Sequence, residues 1–150
     1  MNTLLFFALI LTTQPSCKQN SNLETEIPEL ESLIKTFSRN FQNQDIDSLK
    51  LSIHKDVRFY LPGIGLLNGQ HAFSSYFKKE FQKRSYSFNS YPDTIYLANR
   101  LAIYREEQNG QIDDLESGMS YPFSRYVAYT CIRDSMDAFR IFECSFVEKD

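Results

Sequence analysis

The sequence predicts an α+β domain in which amphipathic helices come first and a mainly antiparallel sheet follows. Before Arg84, apolar residues recur every three or four positions in three stretches, which is typical of helices. After Arg84 apolar and polar residues alternate, and turn-rich stretches such as EEQNGQIDDLESG separate the strand-like segments. The chain has 150 residues, of which 42% are hydrophobic, so it suffices for one globular domain.

The N-terminal segment predicts export and a lipid anchor. Residues 1–16 hold an apolar run from Leu4 to Leu11. The run is far shorter than the roughly 20 residues that span a bilayer and is typical of a signal peptide. Ser16 followed by Cys17 resembles a bacterial lipoprotein signal, in which the cysteine carries the lipid. This predicts a cell-envelope protein held at a membrane. A plain secretory signal cut near the same place, with Cys17 unmodified, is the alternative.

Residues 17–26 are predicted to be a lipid anchor and flexible tether, and residues 27–150 the folded domain. The first helix begins near Ile27, and its apolar stripe consists of Ile27, Leu30, Leu33, Ile34, Phe37 and Phe41. The second begins with Asp45 as N-cap and ends near Lys55. The third buries Phe73, Tyr76, Phe77 and Phe81.

A glycine-rich loop between the second and third helices raises the question of a dinucleotide site. The stretch is RFYLPGIGLLNGQHAF. The preceding strand alternates apolar and polar residues, whereas the strand of a dinucleotide-binding turn is apolar on both faces. Asn68 also occupies the place of the third glycine, and Gly69 comes one residue late. These departures exclude a dinucleotide-binding fold.

Charge and histidine content argue against other partners. The net charge of −3 makes nucleic acid an unexpected partner. Basic residues cluster at the end of the third helix, at Lys78, Lys79, Lys83 and Arg84. Their expected role is a favourable interaction with the helix dipole, and a phosphate site is the alternative. His54 and His71 have no cysteine or second histidine at ligand spacing, so we expect surface residues, no metal site and no cofactor.

The last two strands carry two of the three cysteines. If Asp134 and Asp137 close this hairpin, Arg140 lies opposite Cys131, and Val127 lies opposite Cys144. The two cysteines are then offset by about 13 Å along the strands. This exceeds the roughly 7 Å limit between the Cα atoms of a disulfide, so both are expected to be buried free thiols.

Three stretches of the chain carry a diffuse pattern of apolar and turn residues: NQDIDSLKLSIHKDVRFYLPG, NGQHAF and the closing YTCIRDSMDAFRIFECSF. They resemble the SnoaL-like branch of the nuclear transport factor 2-like superfamily, and the resemblance covers roughly residues 27–147. It implies a cystatin-like cone, in which a strongly curved sheet wraps around the N-terminal helices and encloses a pocket. The segment from Pro62 to Gly69 is then a turn at the rim of the cone.

The superfamily includes ketosteroid isomerase, whose catalytic positions can be located by an ungapped count. The position of its aspartate base falls on Leu61, and that of its tyrosine oxyanion donor falls on Phe37. Neither side chain can transfer a proton or donate a hydrogen bond, so no catalytic residue is predicted. The residues predicted to line the pocket are Phe37, Phe41, Phe59, Leu61, Phe139, Ile141 and Glu143.

The strand AFRIFECSF supports two further predictions. Alternation places Glu143 on one face with Phe139 and Ile141, so its carboxyl should point into the cone with a raised pKa. The alternative is a solvated carboxylate or one paired with a basic side chain such as Arg125. Phe142, Cys144 and Phe146 then lie on the outer face, and such an apolar face predicts a homodimer.

We therefore expect a non-catalytic domain that binds a small hydrophobic ligand at the envelope membrane. One alternative is a SnoaL-like lyase, isomerase or hydrolase acting on a small hydrophobic substrate. Another is a protein-interaction module. A polar, convergent pocket favours the enzyme, whereas a dry pocket with an apolar outer sheet favours the interaction module.

Overall fold

Three helices and a single curved, mainly antiparallel sheet make up the fold, which confirms the predicted α+β class. The computed structural model describes residues 23–149, so the predicted signal peptide and Cys17 lie outside the described residues. The elements are α1 (Leu23–Gln42), α2 (Ile46–Ser52), β1 (Ile53–Leu61), β2 (Gly65–Asn68), α3 (Gly69–Glu80), β3 (Arg84–Ala98), β4 (Leu101–Asp114), β5 (Ser120–Arg133) and β6 (Phe139–Glu148). The strand order is β2-β1-β6-β5-β4-β3, and only the β1–β6 pair is parallel.

Helix α1 lies against the concave face of the sheet and begins earlier than expected. It starts at Leu23, so residues 23–26, predicted to belong to the tether, form its first turn. Arg133 on β5 accounts for this difference, because it holds the first turn against the sheet. Its Nη2 lies 3.3 Å from Oε1 of Glu26 and 3.1 Å from Oε2 of Glu29. Acidic residues also favour a helix N-terminus. None of the helices within residues 23–149 is long and apolar enough to cross a membrane.

Helix α2 is shorter than its apolar spacing predicted. Asp45 caps it as expected and accepts a hydrogen bond from the backbone N–H of Ser48 at 3.0 Å. The helix ends at Ser52, and Ile53 opens β1 by pairing in parallel with Ile141. The predicted continuation to Lys55 is wrong because pairing in the sheet outweighs local helical periodicity.

The hairpin of β5 and β6 contains a bulge that changes which side chains face inward. Cys131 pairs with Ile141 and Thr130 with Glu143, so Phe142 is an extra residue without a partner. The predicted pairings of Cys131 with Arg140 and of Val127 with Cys144 are therefore wrong.

The bulge also changes the faces that the sequence predicted for the side chains of β6. Cys144 and Phe146 join Phe139 and Ile141 on the concave face, whereas Glu143 turns to the convex face. There Oε2 of Glu143 lies 3.4 Å from Nη1 of Arg58. This agrees with the alternative in which Glu143 pairs with a basic side chain, although the partner is Arg58. Of the three residues expected on the outer face, only Phe142 is left there. Both cysteines are buried free thiols, as predicted.

The concave side of β1 and β6 is filled by aromatic rings, and we call this region the aromatic half. Phe59 lies at its centre and is fully buried. Its ring centroid is 5.0 Å from that of Phe73, 5.8 Å from that of Phe77 and 5.7 Å from that of Phe146. Such close ring packing leaves no space for a ligand there.

Candidate functional site

A cavity lies on the other side of α1, between that helix and strands β3 and β4. Its volume is about 350 Å³. It is lined by Lys35, Ser38, Arg39, Gln42, Asn43, Phe88, Asn89, Ser90, Pro92, Tyr104 and Glu106. We call this region the polar half, because most of these side chains carry hydrogen-bonding groups.

The seven residues predicted to line a pocket lie elsewhere. Phe37 and Phe41 border only a deeper void of about 10 Å³. Phe59, Phe139 and Ile141 are buried within the aromatic half, Leu61 is half-buried against it, and Glu143 is on the convex face. The inward positions of β1 and β6 hold apolar side chains that pack against one another, so the cavity forms under β3 and β4 instead.

Glu106 is the central group of the polar half. It lies on the concave face of β4 with 1% of its surface exposed. Its Oε1 accepts hydrogen bonds from Gln108 at 2.6 Å, Ser90 at 3.1 Å and the Tyr129 hydroxyl at 3.1 Å. Its Oε2, by contrast, accepts none from any residue in 23–149. Burial raises the pKa of this carboxyl, and the three hydrogen bonds oppose the shift.

The half-buried guanidinium of Arg125 lies behind this carboxyl. Nε and Nη2 of Arg125 donate to Oε1 of Gln108 at 3.0 and 2.9 Å, and the amide nitrogen of Gln108 in turn donates to Glu106. The guanidinium also lies over the rings of Phe123 and Phe146, 4.6 and 4.4 Å from their centroids. Arg125 therefore fixes the orientation of Gln108, which can present only its N–H group to Glu106.

Two hydroxyl groups complete the inner end of the cavity. Ser38 on α1 is 7% exposed, and its Oγ has no hydrogen-bond partner, alone among the fully buried side-chain polar atoms of residues 23–149. Tyr104 on β4 is almost fully buried, and burial together with nearby Glu106 and Glu31 raises its pKa to about 12. Its hydroxyl therefore stays protonated at neutral pH and can donate a hydrogen bond. Leaving a buried hydroxyl unpaired costs about 1–3 kcal/mol, so the Ser38 site favours a polar ligand atom.

The mouth of the cavity is positively charged. Lys35 and Arg39 lie one turn apart on α1, and both line the opening. Nζ of Lys35 is 3.5 Å from Glu31. Arg39 forms no ion pair and no side-chain hydrogen bond with any described residue.

Sequence reasoning missed Glu106 and Gln108 because they fall in a polar stretch that we interpreted as a turn. The structure places that stretch in β4, which continues to Asp114. The signal was present, since Ala102, Tyr104, Glu106 and Gln108 follow the alternation of the strand. Polar residues that continue an inward-facing apolar series are candidates for a buried network.

No group of three or more His, Cys, Asp or Glu side chains within residues 23–149 is arranged to hold a metal ion. His54 lies on β1 with its ring 5.7 Å from that of Phe142, and His71 is exposed on α3. Neither histidine lines the cavity.

Comparison with known proteins shows the fold. No family model matches the chain, and no curated protein matches its sequence. A ketosteroid isomerase-like protein from Erwinia carotovora atroseptica superposes with a TM-score of 0.79 at 12% identity, over 84% of this chain and 98% of that one. A nuclear transport factor 2-like superfamily protein from Salmonella enterica gives 0.73 at 12% identity, over 84% and 94%.

A protein of unknown function from Mycobacterium tuberculosis gives a TM-score of 0.72 at 14% identity, over 83% of this chain and 76% of that one. The chain therefore has the nuclear transport factor 2-like fold, as the sequence resemblance predicted. Identities of 12–14% show the fold alone.

Proposed function

We propose that this domain binds a small molecule in the cavity of the polar half. The observation that carries the proposal is the orphan hydroxyl of Ser38, a residue that lines the same cavity as Glu106. A buried polar group normally has a hydrogen-bond partner, so the Ser38 hydroxyl favours a bound ligand that supplies one. The cavity volume of about 350 Å³ also lies within the range of small-molecule sites.

Native mass spectrometry of the purified protein tests this proposal. We expect a small molecule to co-purify with the wild type and to be lost from Ser38→Ala and Glu106→Gln. The matched controls are Ser32→Ala, on the outward side of the same helix, and Glu107→Gln, whose carboxylate pairs with Lys149 on the convex face. The proposal fails if both cavity variants keep the adduct. It also fails if the wild type carries none and a fragment library leaves the amide resonances of Ser38 and Glu106 unchanged.

A second candidate function is acid–base catalysis in the same cavity. Burial raises the pKa of Glu106, which brings this carboxyl nearer to the range in which it exchanges protons at neutral pH. Leu61 and Phe37 remain without catalytic groups, so we expect no isomerisation of a Δ5-3-ketosteroid. Catalysis by Glu106 instead predicts that a bound ligand exchanges a carbon-bound proton in D2O with the wild type and not with Glu106→Gln. A ligand that keeps all its carbon-bound protons with both proteins favours binding alone.

We propose export and lipid anchoring from the N-terminal sequence. The supporting features are the short apolar run, Ser16 and Cys17. They support a domain held at the bacterial cell envelope. Labelling cells with a palmitate analogue should mark the wild type and leave Cys17→Ser unmarked. Equal labelling of the two proteins contradicts the anchor.

We also propose that two copies pair through the convex face of the sheet. The alternation of the strands puts Tyr96, Ile103 and Val147 on this face, and all three are exposed. A second copy would cover this apolar surface by two-fold pairing. Sedimentation equilibrium should give the mass of two chains for the wild type and of one chain for Ile103→Lys. A monomeric wild type contradicts the pairing.

A further inference from the structure

We infer that the ligand is a small organic anion with a hydroxyl or carbonyl oxygen at the end opposite its charge. This inference rests on the proposed binding function and adds the chemical class of the ligand. Three parts of the cavity carry it, namely the inner end, the wall and the mouth.

The inner end fits a neutral oxygen-bearing group. The orphan Ser38 hydroxyl and the Tyr104 hydroxyl can each donate a hydrogen bond to it, and Oε2 of Glu106 can accept one. A ligand carboxylate at this end would stand next to the buried carboxyl of Glu106 without a cation of its own. The half-buried Arg125 behind Glu106 already donates to Gln108. A hydroxyl or carbonyl avoids that repulsion and still satisfies the open hydrogen bonds.

The wall between the inner end and the mouth is largely apolar. Phe88 and Pro92 border the cavity from β3, and the ring of Tyr104 borders it from β4. A side-chain amide of α1 fixes this wall in place, because Oε1 of Gln42 accepts a hydrogen bond from the backbone N–H of Phe88 at 3.1 Å. The body of the ligand is therefore expected to be a flat or compact hydrocarbon, such as one aromatic ring.

The mouth fits an anionic group. Arg39 is a cation at the opening without an ion pair among the described residues, and Lys35 adds a second, partly neutralised positive charge. Ser38 and Arg39 both line this cavity of about 350 Å³, so a single short ligand can reach both. Its oxygen function would contact the inner end while its charge faces the guanidinium.

Binding of three related probes to the full chain tests the inference. The probes are 4-hydroxyphenylacetate, its methyl ester, which lacks the charge, and phenylacetate, which lacks the hydroxyl. Dissociation constants are measured by NMR titration at low ionic strength. We expect the hydroxy acid to bind roughly tenfold more tightly than phenylacetate, the value of one good buried hydrogen bond. We expect it to bind about threefold more tightly than the ester, since an exposed ion pair is weak.

Variants separate the two ends of the cavity. Arg39→Ala should abolish the preference for the acid over the ester, whereas Arg105→Ala, an arginine of the convex face, should leave it unchanged. Glu106→Gln and Ser38→Ala should reduce the preference for the hydroxyl group.

The outcomes distinguish this inference from the proposed function. If the ester binds as tightly as the acid and Ser38→Ala weakens both, the cavity binds ligands and the anionic class is wrong. If no probe shifts a cavity resonance, the anionic class is also overturned. The co-purified molecule then decides the binding function independently.

Discussion

The two halves of the concave surface differ in how their inward positions are filled. In the aromatic half, β1 and β6 present large apolar side chains, and the fully buried Phe59 touches several rings. In the polar half, β3 and β4 present Ser90, Glu106 and Gln108, and α1 presents the small Ser38. One curved sheet thus holds a solid core beside an open cavity. The choice of inward-facing side chains, more than the fold, therefore decides where a ligand can enter.

The largest expected effect is on the aromatic half. Phe59→Ala should lower the free energy of unfolding by about 3–5 kcal/mol, because it removes a fully buried ring that surrounding rings cannot replace. Urea denaturation followed by circular dichroism measures this change. Leu51→Ala, at a position 74% exposed on α2, is the control and should change stability by less than about 0.5 kcal/mol. A small loss for Phe59→Ala would show that this half is loosely packed.

The second largest effect is expected where β3 and β4 approach each other closely. A Cβ atom at Gly110 would lie 2.1 Å from the carbonyl oxygen of Ser87. Gly110→Ala should therefore force the two strands apart and cost about 1–3 kcal/mol of unfolding free energy. The same urea titration measures it. Unchanged stability would mean that β3 and β4 separate freely there, which would weaken the description of a fixed cavity.

Ser38→Ala sharpens the comparison because stability and binding should respond in opposite directions. Removal of an unpaired buried hydroxyl should raise the unfolding free energy of the ligand-free protein by up to about 1 kcal/mol. Ligand binding should weaken at the same time. A loss of stability in the ligand-free protein would instead indicate that the hydroxyl has a partner within the fold.

The pH dependence of stability gives a smaller effect with a defined sign. Burial raises the pKa of Glu106 above its value in the unfolded chain, so folding favours the protonated form. The contribution of this carboxyl to stability is fully present below about pH 4.3, its pKa in the unfolded chain. The contribution is lost as the pH rises through the higher pKa that the carboxyl has in the folded protein. The stability of Glu106→Gln minus that of the wild type should therefore increase with pH across this window. A difference independent of pH would contradict the burial of an ionisable group.

The sequence predicted the fold well and the site poorly, for physical reasons. Helical periodicity in α1 and alternation after Arg84 follow directly from apolar spacing. The bulge at Phe142 is set by pairing between distant strands, and no local pattern reveals it. Glu106 was missed because polar residues are expected at the surface. Its burial depends on partners that lie more than ten residues away, Ser90 and Tyr129.

The most direct test of the central claim, that Glu106 is a desolvated carboxyl at the inner end of a ligand cavity, is its own titration. Carbon-detected NMR of the side-chain carboxyl carbon measures this pKa, with Glu107 as the internal reference. Hydrogen bonds from Lys149 and Asn109 hold the pKa of Glu107 below its usual range. We predict a pKa for Glu106 clearly above the ordinary value of about 4.3, and a further change when ligand binds. A value for Glu106 at or below that of Glu107, unmoved by ligand, would contradict the account.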